Sequence, residues 1–327
     1  MARKQPPSYL FSSDDRLRRR EAARARARRR RRVALAALFL FLVAGGAVAF
    51  VSLRGSDGRP LSLDSAKHGT ADALGPTTVR GSKANESATT ASLKAAAPRA
   101  SSASGLTGLH GKTVAIDPGH NGANYAHTAE INRLVDAGTL RKPCDTTGTE
   151  TAGGYTEAAY NLDVALRLAV LLRRAGARVV MTRTTNTGWG PCITERAAIG
   201  NRANADAAIS IHADGGPASG RGFHVIYPPS LKGLTDDIAA ASLRLALDLR
   251  RSYARGTGMP YATYIGHAGL DERSDLGGLN LSDVPKVFIE TGNMRNATDA
   301  ARLESGAYRQ RAAAAIARGL AAFLAGA

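Results

Sequence analysis

From residue 109 onward, short apolar runs alternate with stretches whose apolar residues recur at the helical period, and few folds accommodate that order. Thr113-Val-Ala-Ile-Asp117 reads as a strand, followed by a long loop to about residue 154. Glu157 to Arg174 reads as a helix, with Ala159, Leu162, Ala165, Leu166, Ala169 and Leu172 on one face, and Gly176 stops it. Arg178 to Thr182 is a second strand, and Thr194 is placed to cap a helix running to Asn204. Ala207 to Ile211, Gly222 to Tyr227 and Val284 to Ile289 read as further strands. Ile238 to Tyr253 and Tyr308 to Leu324 read as helices. Such alternation predicts an α/β domain with a central, mainly parallel sheet flanked by helices.

In open sheets of this kind, sites lie off the carboxyl ends of strands. His120 follows the first strand, His212 follows Ala207–Ile211, and Glu290 follows Val287-Phe-Ile. Glu157 opens the long helix. Two histidines and a glutamate can hold one Zn²⁺ with a position left for water, and a further carboxylate can take that water's proton. Each residue also has an ordinary reading. A histidine after a strand is commonly a loop residue, Glu157 suits the positive end of a helix, and Glu290 is a plausible strand-end charge. His68 and His110 lie in or beside the linker, and His127, His224 and His267 lack a comparable setting. On residue chemistry alone, both readings stay open.

The charge balance separates the rest of the chain. Residues 1–32 carry 13 Lys/Arg against three acids, so most of the formal net charge of +17 sits there. Residues 33–53 follow with no charge and with the length of a bilayer span. The basic cluster before them predicts a cytoplasmic N-terminus and an extracytoplasmic C-terminal part, so the arginines read as a topology signal and nucleic acid is excluded as a partner. Ala47-Val48-Ala49 offers a signal-peptide cleavage site; the apolar run continues through Leu53, which favours an uncleaved anchor. Residues 54–108 lack an apolar period and read as a disordered linker of roughly 40 Å root-mean-square span. Residues 109–327 form the remaining domain.

Ile116-Asp-Pro-Gly-His-Asn-Gly122, Gly154-Tyr-Thr-Glu157 with Asn161, Glu195-Arg196 with Asn201 or Asn204, Ser210-Ile-His-Ala-Asp214 and Val287-Phe-Ile-Glu-Thr-Gly292 with Asn296 occur in one order across 109–327. In these motifs the domain resembles the zinc-dependent N-acetylmuramoyl-L-alanine amidases. The resemblance implies one Zn²⁺ on His120, Glu157 and His212, with Glu290 as general base and acid, cleaving the bond between muramic acid and the L-alanine of the peptidoglycan stem peptide. Glu150 is a rival third ligand, but it lacks a helix to fix its direction. Asp117 or a backbone carbonyl is a candidate to hold a ligating histidine's second nitrogen, and Arg196 and Arg273 are candidates for binding substrate carboxylates. Asn121 departs from the glycine usual in the family, and residues 291–296 are more polar than usual.

No C-x-x-C motif is present. In an exported domain Cys144 and Cys192 are expected to form a disulfide. A monomer is expected, and a protein activator stays open. The alternatives are a zinc peptidase acting within the stem peptide, for which the H-E-x-x-H spacing is absent, and a non-catalytic, membrane-tethered wall-binding protein.

Overall fold

The computed structural model describes residues 106–326. The basic segment 1–32, the apolar segment 33–53 and the linker up to residue 105 lie outside the described residues, with the expectations attached to them. Among the described residues, no helix is long and apolar enough to cross a membrane. Leu106 and the turn Thr107–Leu109 already pack on the domain, with Leu109 fully buried.

In chain order the strands are β1 (Thr113–Pro118), β2 (Leu134–Asp136), β3 (Arg141–Pro143), β4 (Arg178–Met181), β5 (Ala207–Asp214), β6 (His224–Tyr227), β7 (Leu270–Glu272) and β8 (Lys286–Asn293). The helices are α1 (Thr128–Ile131), α2 (Glu157–Arg174), α3 (Ile193–Arg202), α4 (Ala239–Thr257), α5 (Gly277–Asn280), α6 (Ala297–Leu303) and α7 (Gly306–Ala325). Six strands form a sheet in the order β4-β1-β5-β8-β6-β7, and β2 and β3 form a separate antiparallel hairpin. The first four sheet strands are mutually parallel; β6 runs antiparallel to β8 and carries β7 parallel to itself. The chain leaves β1 for β4 on one side and returns to β5 on the other. The carboxyl ends of β1 and β5 therefore flank a topological switch point, where such sheets open a crevice.

Pleat parity sorts the side chains onto two faces. Val114 and Ile116 of β1, Ile209, Ile211 and Ala213 of β5, and Val287 and Ile289 of β8 join the main core, which α2, α4 and α7 cover. Burying each aliphatic side chain there contributes about 1.5–3 kcal/mol. The alternate positions, Asp117, Ser210, His212, Lys286, Phe288 and Glu290, belong to the opposite face. There α3 covers only a small cluster of Ala115, Ala205, Ala208 and Val284. This thin cover accommodates polar side chains between helix and sheet.

Several boundaries differ from the sequence expectation. α2 has the expected span, but its buried face comprises Glu157, Ala158, Tyr160, Asn161, Val164, Ala165, Leu168, Ala169 and Leu172, while Leu166 is exposed. The helix carries two overlapping apolar stripes, and the one holding Glu157 and Tyr160 faces inward. α3 starts at Ile193 with Cys192 at its cap, so Thr194 lies inside the helix. The Ile193 amide donates to the Cys144 carbonyl at 2.8 Å, which turns the chain into the helix before Thr194 is reached. β5 and β8 continue through His212 and Glu290. The hairpin, β7, α5 and α6 were not read from the sequence.

Candidate metal centre

The register makes His212 and Glu290 neighbours: they are Cα partners in the β5–β8 ladder, just before a bulge between His212 and Asp214. His120 lies two residues past β1, with a left-handed φ of 56°. Gly119 is required beside it, because a Cβ there would fall 2.0 Å from the His212 ring. Glu157 is the first residue of α2, whose cap Thr156 accepts from the Ala159 amide.

These elements bring His120, Glu157 and His212 together, with ligand atoms all within 4.8 Å of one another. Glu157 is 4% exposed, and each of its oxygens faces one ring: Oε2 lies 3.2 Å from His120 Nε2, and Oε1 lies 2.9 Å from His212 Nδ1. The Thr149 amide donates to Oε2, while the Ala213 amide and Asn161 Nδ2, one helical turn on, donate to Oε1. Glu150, by contrast, is exposed and stands outside the cluster.

The outer partners decide which ring nitrogens are free. His120 Nδ1 lies 2.9 Å from the Thr146 carbonyl, which can only accept, so Nδ1 carries a hydrogen and Nε2 is the nitrogen turned to Glu157. Ser210 Oγ donates to Asp117 Oδ2 at 2.8 Å and lies 3.2 Å from His212 Nε2. With its proton so committed, Ser210 accepts from Nε2, and the Nδ1 lone pair of His212 faces Glu157. Asp117 thus supports His212 through Ser210, while Asp145, 3.5 Å from His120 Nδ1, flanks the other ring.

Arg196 joins the two arms. It is 5% exposed and donates to Asp117 Oδ1 and Asp145 Oδ2, both at 2.8 Å. Its remaining bonds reach the carbonyls of Pro118, His120, Gly190 and Pro191. Its donors are committed to protein groups, so the expectation that Arg196 binds substrate carboxylates is corrected. Burial would raise the Asp117 and Asp145 pKa values; Arg196 and then Lys286 overcome this at Asp117, and the His120 hydrogen bond and then Arg196 overcome it at Asp145. Asp117 is held well below its ordinary range and Asp145 at about 2. Arg273 is a third exposed, pairs with Asp275 at 2.9 Å and lies within electrostatic reach of Glu290.

Burial works against a charged His120, yet the Glu157 and Asp145 carboxylates outweigh it and lift its pKa to about 10. The His-Glu-His pocket thus favours positive charge, and its N, O, N donors suit Zn²⁺. Glu290 behaves oppositely: burial, then the Glu157 and Asp214 carboxylates, push its pKa well above the ordinary range. Glu290 Oε2 is buried without a hydrogen-bond partner. A cavity of about 180 Å³ adjoins the two histidines, walled by Pro143, Ile193, Leu276, Gly277, Gly278 and Phe288. Phe288 stacks on the His212 ring at 5.2 Å.

Sequence reasoning passed over His224. It opposes Glu290 in the antiparallel β6–β8 register, is 1% exposed, and has a buried, unpartnered Nδ1. A polar residue inside the apolar run 222–227 was the available signal. The disulfide Cys144–Cys192 forms and ties the loop holding Asp145 to the start of α3. The two family departures also find roles. Asn121 Nδ2 donates to the Gly190 carbonyl at 3.0 Å. Thr291 donates to the His212 carbonyl, Asn293 to those of Pro217 and Gly220, and Asn296 to that of Ala218, so this polar stretch holds the loop after β5.

Fold and site together define an α/β domain with a His-Glu-His cation pocket and an adjoining carboxyl at the sheet's switch point. A family model described as N-acetylmuramoyl-L-alanine amidase matches residues 114–322. The chain is 44% identical over 236 residues to the N-acetylmuramoyl-L-alanine amidase Rv3717 of Mycobacterium tuberculosis, a match covering 71% of this chain and 95% of that protein. Among solved structures, the N-acetylmuramyl-L-alanine amidase Ami1 of Mycobacterium smegmatis has a TM-score of 0.63 at 44% identity, covering 67% of this chain and 99% of that one. Apo Ami1 of Mycobacterium abscessus gives 0.62 at 44% identity, covering 66% and 99%. This chain belongs to the N-acetylmuramoyl-L-alanine amidase family.

Proposed function

We propose that this chain hydrolyses the amide bond between N-acetylmuramic acid and the L-alanine of the peptidoglycan stem peptide, with Zn²⁺ held by His120, Glu157 and His212. The observation that carries the reading is the convergence of His120 Nε2, Glu157 and His212 Nδ1 beside an unpartnered Glu290 Oε2. When bound there, Zn²⁺ would supply a Lewis acid for the amide carbonyl and lower the pKa of a water towards about 7. Thr146 and Ser210 hold the two imidazoles in the tautomers that present those lone pairs. Glu290, its pKa raised by burial and by the Glu157 and Asp214 carboxylates, accepts the attacking water's proton at Oε2 and returns it to the departing alanine nitrogen. Arg273 keeps an exposed edge for a substrate carboxylate.

The domain is further proposed to work outside the cytoplasm, tethered through residues 33–53. The Cys144–Cys192 disulfide supports an oxidising compartment. The test incubates the purified protein with a muropeptide, with and without a zinc chelator, and identifies the products by mass spectrometry. Chelator-sensitive release of a stem peptide with a free L-alanine amine is expected. Cleavage inside the stem peptide would replace the amidase reading with a peptidase one.

A further inference from the structure

The chain contains one tryptophan, and Trp189 stands 40% exposed. Tyr125, on a neighbouring loop, is 74% exposed. The loops carrying them are fastened together: the Ala123 amide donates to the Gly188 carbonyl at 2.9 Å, and the Gly190 amide to Asn124 Oδ1 at 2.8 Å. Between them Gly122 lies so close to Asn186 that a Cβ would fall 2.1 Å from its carbonyl oxygen. Arg183, buried, donates to Thr185 and Asn186 as well as to the Pro118 and Gly119 carbonyls, fixing the Trp189 loop to the end of β1. His127 stacks on the indole at 5.6 Å and 26°, holding its ring. The exposed rings are thus presented on a rigid support.

That support adjoins the metal centre. Asn124 Nδ2 and His120 Nδ1 share the Thr146 carbonyl, and Arg196 Nη2 donates to the carbonyls of both His120 and Gly190. Tyr125 follows Asn124 directly, and Trp189 precedes Gly190. Exposed aromatic rings on such a support, beside a reaction centre, offer apolar faces edged by polar groups, which suits a ligand with an apolar face and hydroxyl edges. In the substrate class proposed above, the group one short lactyl link from the scissile amide is a pyranose ring.

We propose that Tyr125 and Trp189 form a platform for a pyranose ring of the peptidoglycan glycan, which seats the sugar side of the scissile bond. The proposal rests on the amidase reading for its ligand, and its test is independent of turnover. With Trp189 the only tryptophan, intrinsic emission reports on this surface directly. The probes are N,N′-diacetylchitobiose, a disaccharide without peptide, and the dipeptide L-alanyl-D-isoglutamine, each titrated into the full-length protein carrying Glu290→Gln. A saturable change in emission with the disaccharide and none with the dipeptide is expected. Tyr125→Ala should weaken that titration roughly three- to tenfold; a residue so exposed can be truncated without unfolding the domain. With Glu290 intact, Tyr125→Ala should lower kcat/KM on a disaccharide-bearing muropeptide more than on a lactyl-peptide lacking the sugars. An emission change with the dipeptide alone, or a disaccharide titration unaltered by Tyr125→Ala, overturns the platform, and so does an emission spectrum that no disaccharide concentration changes. Failure of the amidase reading would show separately, as muropeptide left intact by the unmutated protein.

Discussion

Replacing Arg196 by methionine should cost the domain more than any other single change at the site. The guanidinium is 5% exposed and is bonded at 2.8 Å to each of two carboxylates, Asp117 and Asp145, that are themselves about 5% exposed. Removing one partner of a buried ion pair costs about 3–5 kcal/mol, because the stranded charge stays desolvated. Here two carboxylates are stranded, although Lys286, 3.9 Å from Asp117, relieves one of them in part. A loss of about 5 kcal/mol is therefore expected, which for a domain of this size lowers Tm by roughly 10–20 °C. The same variant loosens Asp117 and Asp145, the carboxylates behind the two histidines, and outer-shell changes of this kind weaken zinc about 10–100-fold. Arg196→Lys keeps the charge but has no planar fork to serve both carboxylates, and should fall between the two. Thermal unfolding by circular dichroism and zinc competition against a chromophoric chelator measure both effects. A Tm within 3 °C of the parent together with unchanged zinc affinity for Arg196→Met would refute the bridging role.

Three further changes have expected outcomes. Glu290→Gln should lower kcat by about 10²–10⁴ with zinc still bound one to one, read by steady-state kinetics and metal analysis. Losing the Cys144–Cys192 bond, which spans 48 residues, should remove about 4 kcal/mol of stability by the chain-entropy estimate, measured by urea unfolding of Cys144→Ser/Cys192→Ser. His224 is held down at about 4, by burial first and then by Arg273, against the opposing pull of Asp214. Between pH 6.5 and 4 the unfolded chain therefore binds a proton that the folded one refuses. The stability tied to His224 is fully present above pH 6.5 and is lost as pH falls towards 4, by up to about 3 kcal/mol. His224→Gln should flatten that slope in unfolding curves taken across the window.

Much of this architecture was legible in the sequence because its signals are local. α2 follows the helical period from Glu157 to a stop glycine, and His120, His212 and Glu290 each terminate an apolar run. What escaped depends on contacts between distant segments. β5 and β8 extend further than the sequence suggests because His212, Asp214 and Glu290 read as polar residues past a strand's end, whereas the thinly covered face admits them inside one. The reversed direction of β6 leaves no mark in a period-two pattern. Arg196 reads as a helix arginine until Asp117 and Asp145, 79 and 51 residues away, are seen on either side of it. The inward face of α2 was misjudged for a related reason: two stripes fit the period, and Glu157, drawn in between the two histidines, selects one.

The ligand set is tested most directly by a crystal structure of the zinc-loaded protein with anomalous data collected on both sides of the zinc absorption edge. A single anomalous peak bonded to His120 Nε2, Glu157 and His212 Nδ1, with Glu290 nearby but not coordinated, is the predicted result. A peak ligated by Glu150 or Glu290 in place of Glu157, or no peak between the two histidines, would contradict it.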